Sequence, residues 1–484
     1  MLVHEIQTIS SHNAGPLIAS LLTFLLLALV LRCFLHSDKI PAASSGLPIV
    51  GNLQKYTLDP VGFISAATSR HGQCFTVSML FGRTIWLRSP QLNKEYLETR
   101  EVDIWSFGDG MGLFLNKIVI PGYFDHLRSM VGSLSRGISR KATLERYAQI
   151  ADEEASKAVN GWTRGHGGHS VALFEEISFL VHKIIVRCLM GQDFYDHHVE
   201  ELYDLLHTME ANVGSIWHTI LPAWVPHGPA RNLWKCRDRV QEIFRFRLQE
   251  REKCPEEWTD SLDYISYTLQ DPATAHLSRF YAAHHTLLMF AAHTSTVASI
   301  SWTVLELLKS PARLQLLRED LAAHSLEQSP FLDALIKETG RHYSGNSDVR
   351  WARKPKTLRT DVAGTQITIP EGTIVSISPY LTHHDPVAWE RPEEYLPERW
   401  LADGTLAKKM NDGGQLRYIP FGAGSHRCPG EKMAILVSKM VVSRIVKGCE
   451  VGWGEGSSEE TLGGLDFSKV GSPWLKGDVQ VQFW

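Results

Sequence analysis

Cysteines are few and scattered. There are seven in 484 residues, Cys33, Cys74, Cys188, Cys236, Cys254, Cys428 and Cys449, and no two form a C-x-x-C pair. That argues against a zinc site and a disulfide framework and fits a reducing compartment. Basic charge is not in excess either: Lys plus Arg number 49 against 53 Asp plus Glu. The electrostatic footprint of a nucleic-acid binder is therefore missing, and no acidic tail appears. A positively charged leader is also absent ahead of the apolar run Leu17 to Leu35, so a cleaved signal peptide is disfavoured. Nineteen helical residues span roughly 28 Å, about one hydrocarbon core. Arg32, His36 and Lys39 lie at or beyond its end and Glu5 precedes it, which places the bulk of the chain on the cytoplasmic side. A Pro/Gly/Ser hinge, Pro41 to Asn52, follows. Hydrophobic residues make up 44% of the chain, enough for a substantial core.

The most informative stretch is Phe421-Gly-Ala-Gly-Ser-His-Arg-Cys-Pro-Gly430. Glycines let a backbone take positive φ and approach a bulky ligand. Glu431 to Ile445 then reads as a helix, so Cys428 stands just before a helix N-terminus, where free N–H groups favour a thiolate. The plain alternative is a buried structural thiol. The spacing of Phe421, Gly424, His426, Cys428 and Gly430 resembles the Phe-x-x-Gly-x-(His/Arg)-x-Cys-x-Gly haem loop of cytochrome P450 enzymes. That resemblance implies Cys428 as axial ligand of the haem iron, with Phe421, Gly422, His426 and Gly430 around the cofactor.

Ser278 to Ser310 is the longest helical run, without Pro or Gly, and is apolar over most of its surface. Its middle reads Phe290-Ala-Ala-His-Thr-Ser-Thr296. A buried Thr usually bonds its own helix backbone, and a buried His is usually a satisfied core residue. Yet His293 and Thr294 resemble the family's oxygen-activation motif, which implies proton delivery by both. His293-Thr-Ser, Arg350-Trp-Ala-Arg353 and Leu221-Pro-Ala-Trp224 resemble sterol 14α-demethylases in particular. The chain departs from those enzymes at Ala291-Ala292, where they carry Gly-Gln, and lacks their tyrosines after Phe107-Gly-Asp-Gly110. Glu338 and Arg341 share one face of a helix opened by Ser329-Pro330. With Arg399 they resemble the family's structural Glu-Arg-Arg triad. The resemblance also implies that Arg350, His426 and Arg128 hold haem propionates.

Elsewhere, Phe75 to Leu87 and Val362 to Ser378 read as β-hairpins, Ile104 to Gly122 as an irregular glycine-rich loop, and Leu144 to Asn160 and Val171 to Met190 as helices. Leu233 to Lys253 reads as a charged amphipathic helix and Val470 to Trp474 as a hairpin tip. Aromatics on a Pro-broken segment, Ala211 to Ala230, read by themselves as core; the resemblance implies instead a lid that faces membrane and substrate. The fold expected from the resemblance is mostly α (α+β), with small β-sheets at one edge and an N-terminal transmembrane helix. Residues 1–38 form the anchor segment and 39–484 the haem domain. The implied activity is monooxygenation of a large apolar polycyclic substrate, a triterpenoid or steroid, in fungal secondary metabolism. It requires haem b and NADPH electrons through NADPH-cytochrome P450 reductase, and implies a single-pass protein of the endoplasmic reticulum. An isomerase or dehydratase on the same fold, using no dioxygen, and a haem sensor without turnover are the alternatives.

Overall fold

The computed structural model describes residues 40–43, 51–79, 82–99, 104–164, 169–215, 217–221, 225–258, 261–362, 364–413 and 415–484. The expected membrane span, Leu17 to Leu35, lies outside these residues, and so does Trp224. The chain divides into two compact units, Met1–Trp86 and Leu87–Trp484.

The first unit carries α1 (Leu53–Leu58), α2 (Pro60–His71), β1 (Cys74–Met79) and, at its end, β2 (Gly82–Leu87). Asp59 starts α2 by accepting a bond from the Gly62 N–H at 2.9 Å, with Pro60 at the first helical position. Gly72, at φ +80°, ends it. β1 and β2 are sheet neighbours, as the alternation of Phe75 to Leu87 predicts.

The second unit is mainly helical. Its helices bearing on function are α3 (Phe107–Leu115), α4 (Leu127–Ile138), α5 (Lys141–Trp162), α6 (Leu173–Ile185) and α7 (Gln192–Val213). They continue with α8 (Gly228–Lys253), α9 (Tyr281–Lys309), α10 (Pro330–His342), α11 (Glu398–Ala402) and α12 (Glu431–Gly448). α9 packs against α6, α8, α10 and α12 and is buried along most of its length. Among the described residues, Ala275–Lys309 is the one helical run long and apolar enough to cross a membrane, and 67% of its apolar window lies inside the core. All-round apolarity here reflects a central helix of the fold. α8 buries Leu233, Val240, Ile243, Phe244 and Leu248 and turns most of its charges outward; Arg251 is the buried exception, paired with Asp193 and Asp263.

Short strands line the rest: β3 (Trp105–Ser106), β4 (His169–Ala172), β5 (Asp348–Ala352), β6 (Lys356–Arg359), β7 (Gln366–Ile369) and β8 (Ile374–Ile377). Near the C-terminus come β9 (Val451–Trp453), β10 (Leu465–Asp466), β11 (Trp474–Leu475) and β12 (Gln480–Phe483). β5 pairs antiparallel with both β3 and β8, with Arg350 opposite Val375. β10 and β11 form the expected C-terminal hairpin.

Three sequence expectations need correction. Ile104 to Gly122 is not irregular throughout: α3 lies inside it, capped by Ser106 Oγ, which accepts from the Asp109 N–H at 3.0 Å. Its glycines serve close approach, since a Cβ on Gly110 would lie 2.8 Å from Arg350 Cα. Val362 to Ser378 is not one hairpin. β7 pairs back to β6, and the turn at Gly372, φ +74°, hands the chain to β8, which pairs with β5. Helix does not run unbroken from Val171 to Met190 either. Val171 sits in β4, paired to β12, and the helix ends in a π-turn, Val186–Met190.

Candidate active site

The Cys428 loop is held from both sides. The Cys428 N–H donates to Phe421 O at 2.9 Å. Gly422 and Gly424 take φ +66° and +65°, and a Cβ on Gly424 would lie 2.0 Å from Leu97 O. Only glycine fits there. Gly430 is different: it caps α12 at φ −89°, and a Cβ there would stand 3.9 Å from Cys428 Sγ. Desolvation pushes the Cys428 thiol up, while the backbone N–H groups of Gly430 and Glu431 pull it down. The net direction is upward, so the helix terminus by itself does not offset the burial of the thiol.

Groups expected around the carboxylates of a cofactor meet at this loop. Phe107 of α3 stacks on His426 with ring centres 6.2 Å apart. Burial first, then the positive charges of Arg350 and Arg128, lowers His426 to about 4, against the opposing Asp348. Arg350 is 1% exposed, lies over the Tyr96 ring at 4.4 Å and donates from Nη1 to Tyr96 O at 3.0 Å. Its Nε has no hydrogen-bond partner and stands 3.7 Å from Asp348 Oδ1. A buried guanidinium with an unmet donor is costly unless an acceptor completes it. Arg128 is exposed.

Behind the loop, Glu338 is fully buried and receives five donors. Arg341 donates from Nε at 3.0 Å and Nη2 at 2.9 Å, and Arg399 Nε donates at 3.3 Å. The Leu396 N–H at 2.8 Å and Trp400 Nε1 at 2.9 Å complete the set. Arg341 also donates to the carbonyls of His383, Pro392 and Glu394. The predicted triad is thus brought together, with Trp400 as a member that spacing alone does not reveal.

On α9, His293 and Thr294 are buried, at 0% and 3% exposure. Thr286, Thr296 and Thr303 of the same helix each donate to the carbonyl four residues earlier at 2.7 Å. Thr294 does not. Its hydroxyl donates to Glu210 Oε1 of α7 at 2.9 Å, and His293 Nδ1 meets the same oxygen at 2.7 Å. The Glu210 carboxyl lies below the usual range: the bonds and charge of His293 and the Thr294 bond outweigh desolvation. The C-terminal hairpin reaches this point, with Trp474 Nε1 donating to Thr294 O at 3.0 Å. A Cβ on Gly471 would lie 2.2 Å from Ser295 Oγ. Glu210 went unread in the sequence because it is 83 residues from His293. A signal was present: it falls on the apolar stripe Leu202, Leu206, Met209, Val213, where a bare carboxylate does not belong.

A thiol loop before a helix, a buried arginine with an unmet donor and a Thr–Glu–His cluster bridging α7 and the central helix suit a haem-thiolate oxidoreductase. Residues 41–470 match the family model for cytochrome P450, and the chain belongs to that family. The cytochrome P450 monooxygenase pytD of Aspergillus terreus is 82% identical over 77% of this chain and 100% of its own length. The cytochrome P450 monooxygenase pynD of Aspergillus niger is 52% identical over 92% of both chains. The cytochrome P450 monooxygenase pyvB of Aspergillus violaceofuscus is 49% identical over 91% of this chain and 89% of its own. The solved structure of a retinoic acid-bound cyanobacterial CYP120A1 superimposes with a TM-score of 0.76, covering 93% of this chain and 100% of that one at 19% identity. It shares the fold.

The protein is therefore a cytochrome P450 monooxygenase, with haem b as cofactor and a partner reductase as electron source. The residues fit that cofactor: a thiol in a glycine loop, and an unmet Arg350 donor beside His426.

Proposed function

We propose that the protein inserts oxygen into a C–H bond of a large, mostly apolar polycyclic substrate, a triterpenoid or steroid, in fungal secondary metabolism. Cys428 would hold the haem iron, and Arg350, His426 and Arg128 its propionates. Haem held by thiolate supplies the oxidising power and favours O–O cleavage. The chain's own task is to bind the substrate, exclude water and hand over protons at Thr294. One observation carries the reading: alone among the hydroxyls compared along α9, that of Thr294 turns from its helix backbone to a buried carboxylate shared with His293. A hydroxyl so placed passes protons, and a purely structural threonine has no need of Glu210. Support for the substrate class is the sterol-demethylase-like His293-Thr-Ser and Arg350-Trp-Ala-Arg353, with half-exposed Trp217 in the lid segment.

Optical titration of the ferric enzyme tests the substrate. Polycyclic triterpenoids or steroids should convert it to high spin and then drive matched NADPH and oxygen consumption with the reductase. Conversion by fatty acids or small aromatics alone refutes the class, and turnover without oxygen uptake refutes the reaction. We further propose that Leu17 to Leu35 anchors the protein in the endoplasmic reticulum. Deleting residues 1–38 should release it from membranes with haem retained.

A further inference from the structure

Monooxygenation consumes two protons with the two electrons from NADPH: one oxygen atom enters the C–H bond and the other leaves as water. Thr294 is 3% exposed and His293 fully buried, so those protons must come through the protein. His293 Nε2 faces two groups of Ser178 on α6, the carbonyl at 3.0 Å and Oγ at 3.3 Å. The carbonyl only accepts, whereas the hydroxyl also donates. The ring is thus served in both protonation states: protonated, it donates to the carbonyl; neutral at Nε2, it accepts from the hydroxyl.

Ser178 Oγ in turn meets Tyr203 OH of α7 at 3.1 Å and His207 Nε2 at 3.1 Å. Tyr203 OH reaches Glu175 Oε1 at 3.1 Å, and Glu175 is exposed. Every link is at hydrogen-bond distance from solvent to Thr294. Desolvation holds His207 below the ordinary histidine range.

We infer that Glu175, Tyr203 and Ser178 form the proton entry to the oxygen-activation cluster, with His207 as a side branch. This rests on the reading of Thr294, His293 and Glu210 as the proton-delivering group. Each hop is neutral in atoms. A proton arriving at Tyr203 oxygen displaces the phenolic proton to Ser178, whose own proton moves to His293 Nε2. His293 then releases its Nδ1 proton to Glu210, which serves Thr294. No oxidant beyond dioxygen and no reductant beyond NADPH is needed. Tyr203 and Ser178 touch neither substrate nor cofactor, so they are relay and positioning residues.

The test uses full-length holoenzyme with reductase and compares Ser178→Ala, Ser178→Thr, Tyr203→Phe and Thr294→Ala. Product and peroxide per NADPH are measured, together with exchange of the His293 ring N–H with solvent by NMR in the diamagnetic ferrous carbonyl form. Ser178→Ala and Tyr203→Phe should lower coupling about tenfold, a share of what general acid work contributes. Both should also slow His293 exchange about tenfold. Ser178→Thr, which keeps the hydroxyl, should restore both readings and guards against a packing artefact. Wild-type exchange and coupling in Ser178→Ala and Tyr203→Phe, with Thr294→Ala uncoupled, would overturn the entry path and leave the cluster standing. Full coupling in Thr294→Ala would overturn the cluster and the path together.

Discussion

At the scale of the residue, the telling side chain is Thr294, because its neighbours show what it could have done. Thr286 and Thr296 satisfy themselves on their own helix, and Thr294 spends its one proton on Glu210. Thr294→Ala should leave haem content and substrate affinity close to wild type, since a methyl fills part of the space. Product per NADPH should fall steeply and peroxide rise, because proton delivery is typically worth about 10²–10⁴-fold. Stopped coupling assays check this, and unchanged coupling would return Thr294 to a structural role. The residue types needed at this point were legible in His293-Thr294, and so was Cys428 in its loop, because each motif is contiguous. Glu210, Ser178 and Tyr203 were not, because they come from α6 and α7 and meet α9 only after the helices pack.

At the scale of the element, α3 shows how composition misleads. Its glycines read as a loop, because glycine costs about 1 kcal/mol against alanine in a helix. The fold accepts that cost at Gly110, where the helix must ride against the backbone of β5 beside Arg350. Gly110→Ala should destabilise by roughly 1–3 kcal/mol through overpacking and disturb Arg350. Gly112→Ala meets only the flexible end of Asn116, 3.0 Å away, and should be neutral or stabilise by up to about 1 kcal/mol. Thermal unfolding of the two variants tests the contrast; equal shifts would mean that α3 is not held against β5. A related limit hid the partner of β8. Alternation from Val362 to Ser378 revealed strands, but period-two patterning carries no address for the neighbour. By contrast, Ser329-Pro330 and the Glu338–Arg341 spacing are local signals, and both appear in α10 as read.

For the whole molecule, several histidines are wholly or largely buried among the described residues. Burial pushes His182 and His284 to about 3, His342 to about 2 and His384 to about 4. An unfolded chain takes up these protons near 6.5, and the folded one does not. The stability they confer is therefore complete above 6.5 and is lost as pH falls toward their folded values. By pH 5.5 each withdraws about 1.4 kcal/mol. Guanidinium midpoints of the holoprotein should drop sharply between pH 7.5 and 5.5. His284→Gln, which keeps partners for Tyr123 and Tyr264 but does not titrate, should narrow that gap. An undiminished gap would place the acid sensitivity elsewhere.

The whole account turns on iron held by Cys428, and one optical spectrum addresses it. Carbon monoxide added to the reduced enzyme should give the far-red-shifted Soret band of thiolate ligation. In Cys428→His the band should move to the position of a nitrogen-ligated haem while the protein stays folded. A Cys428→His enzyme that keeps the thiolate band would contradict the account.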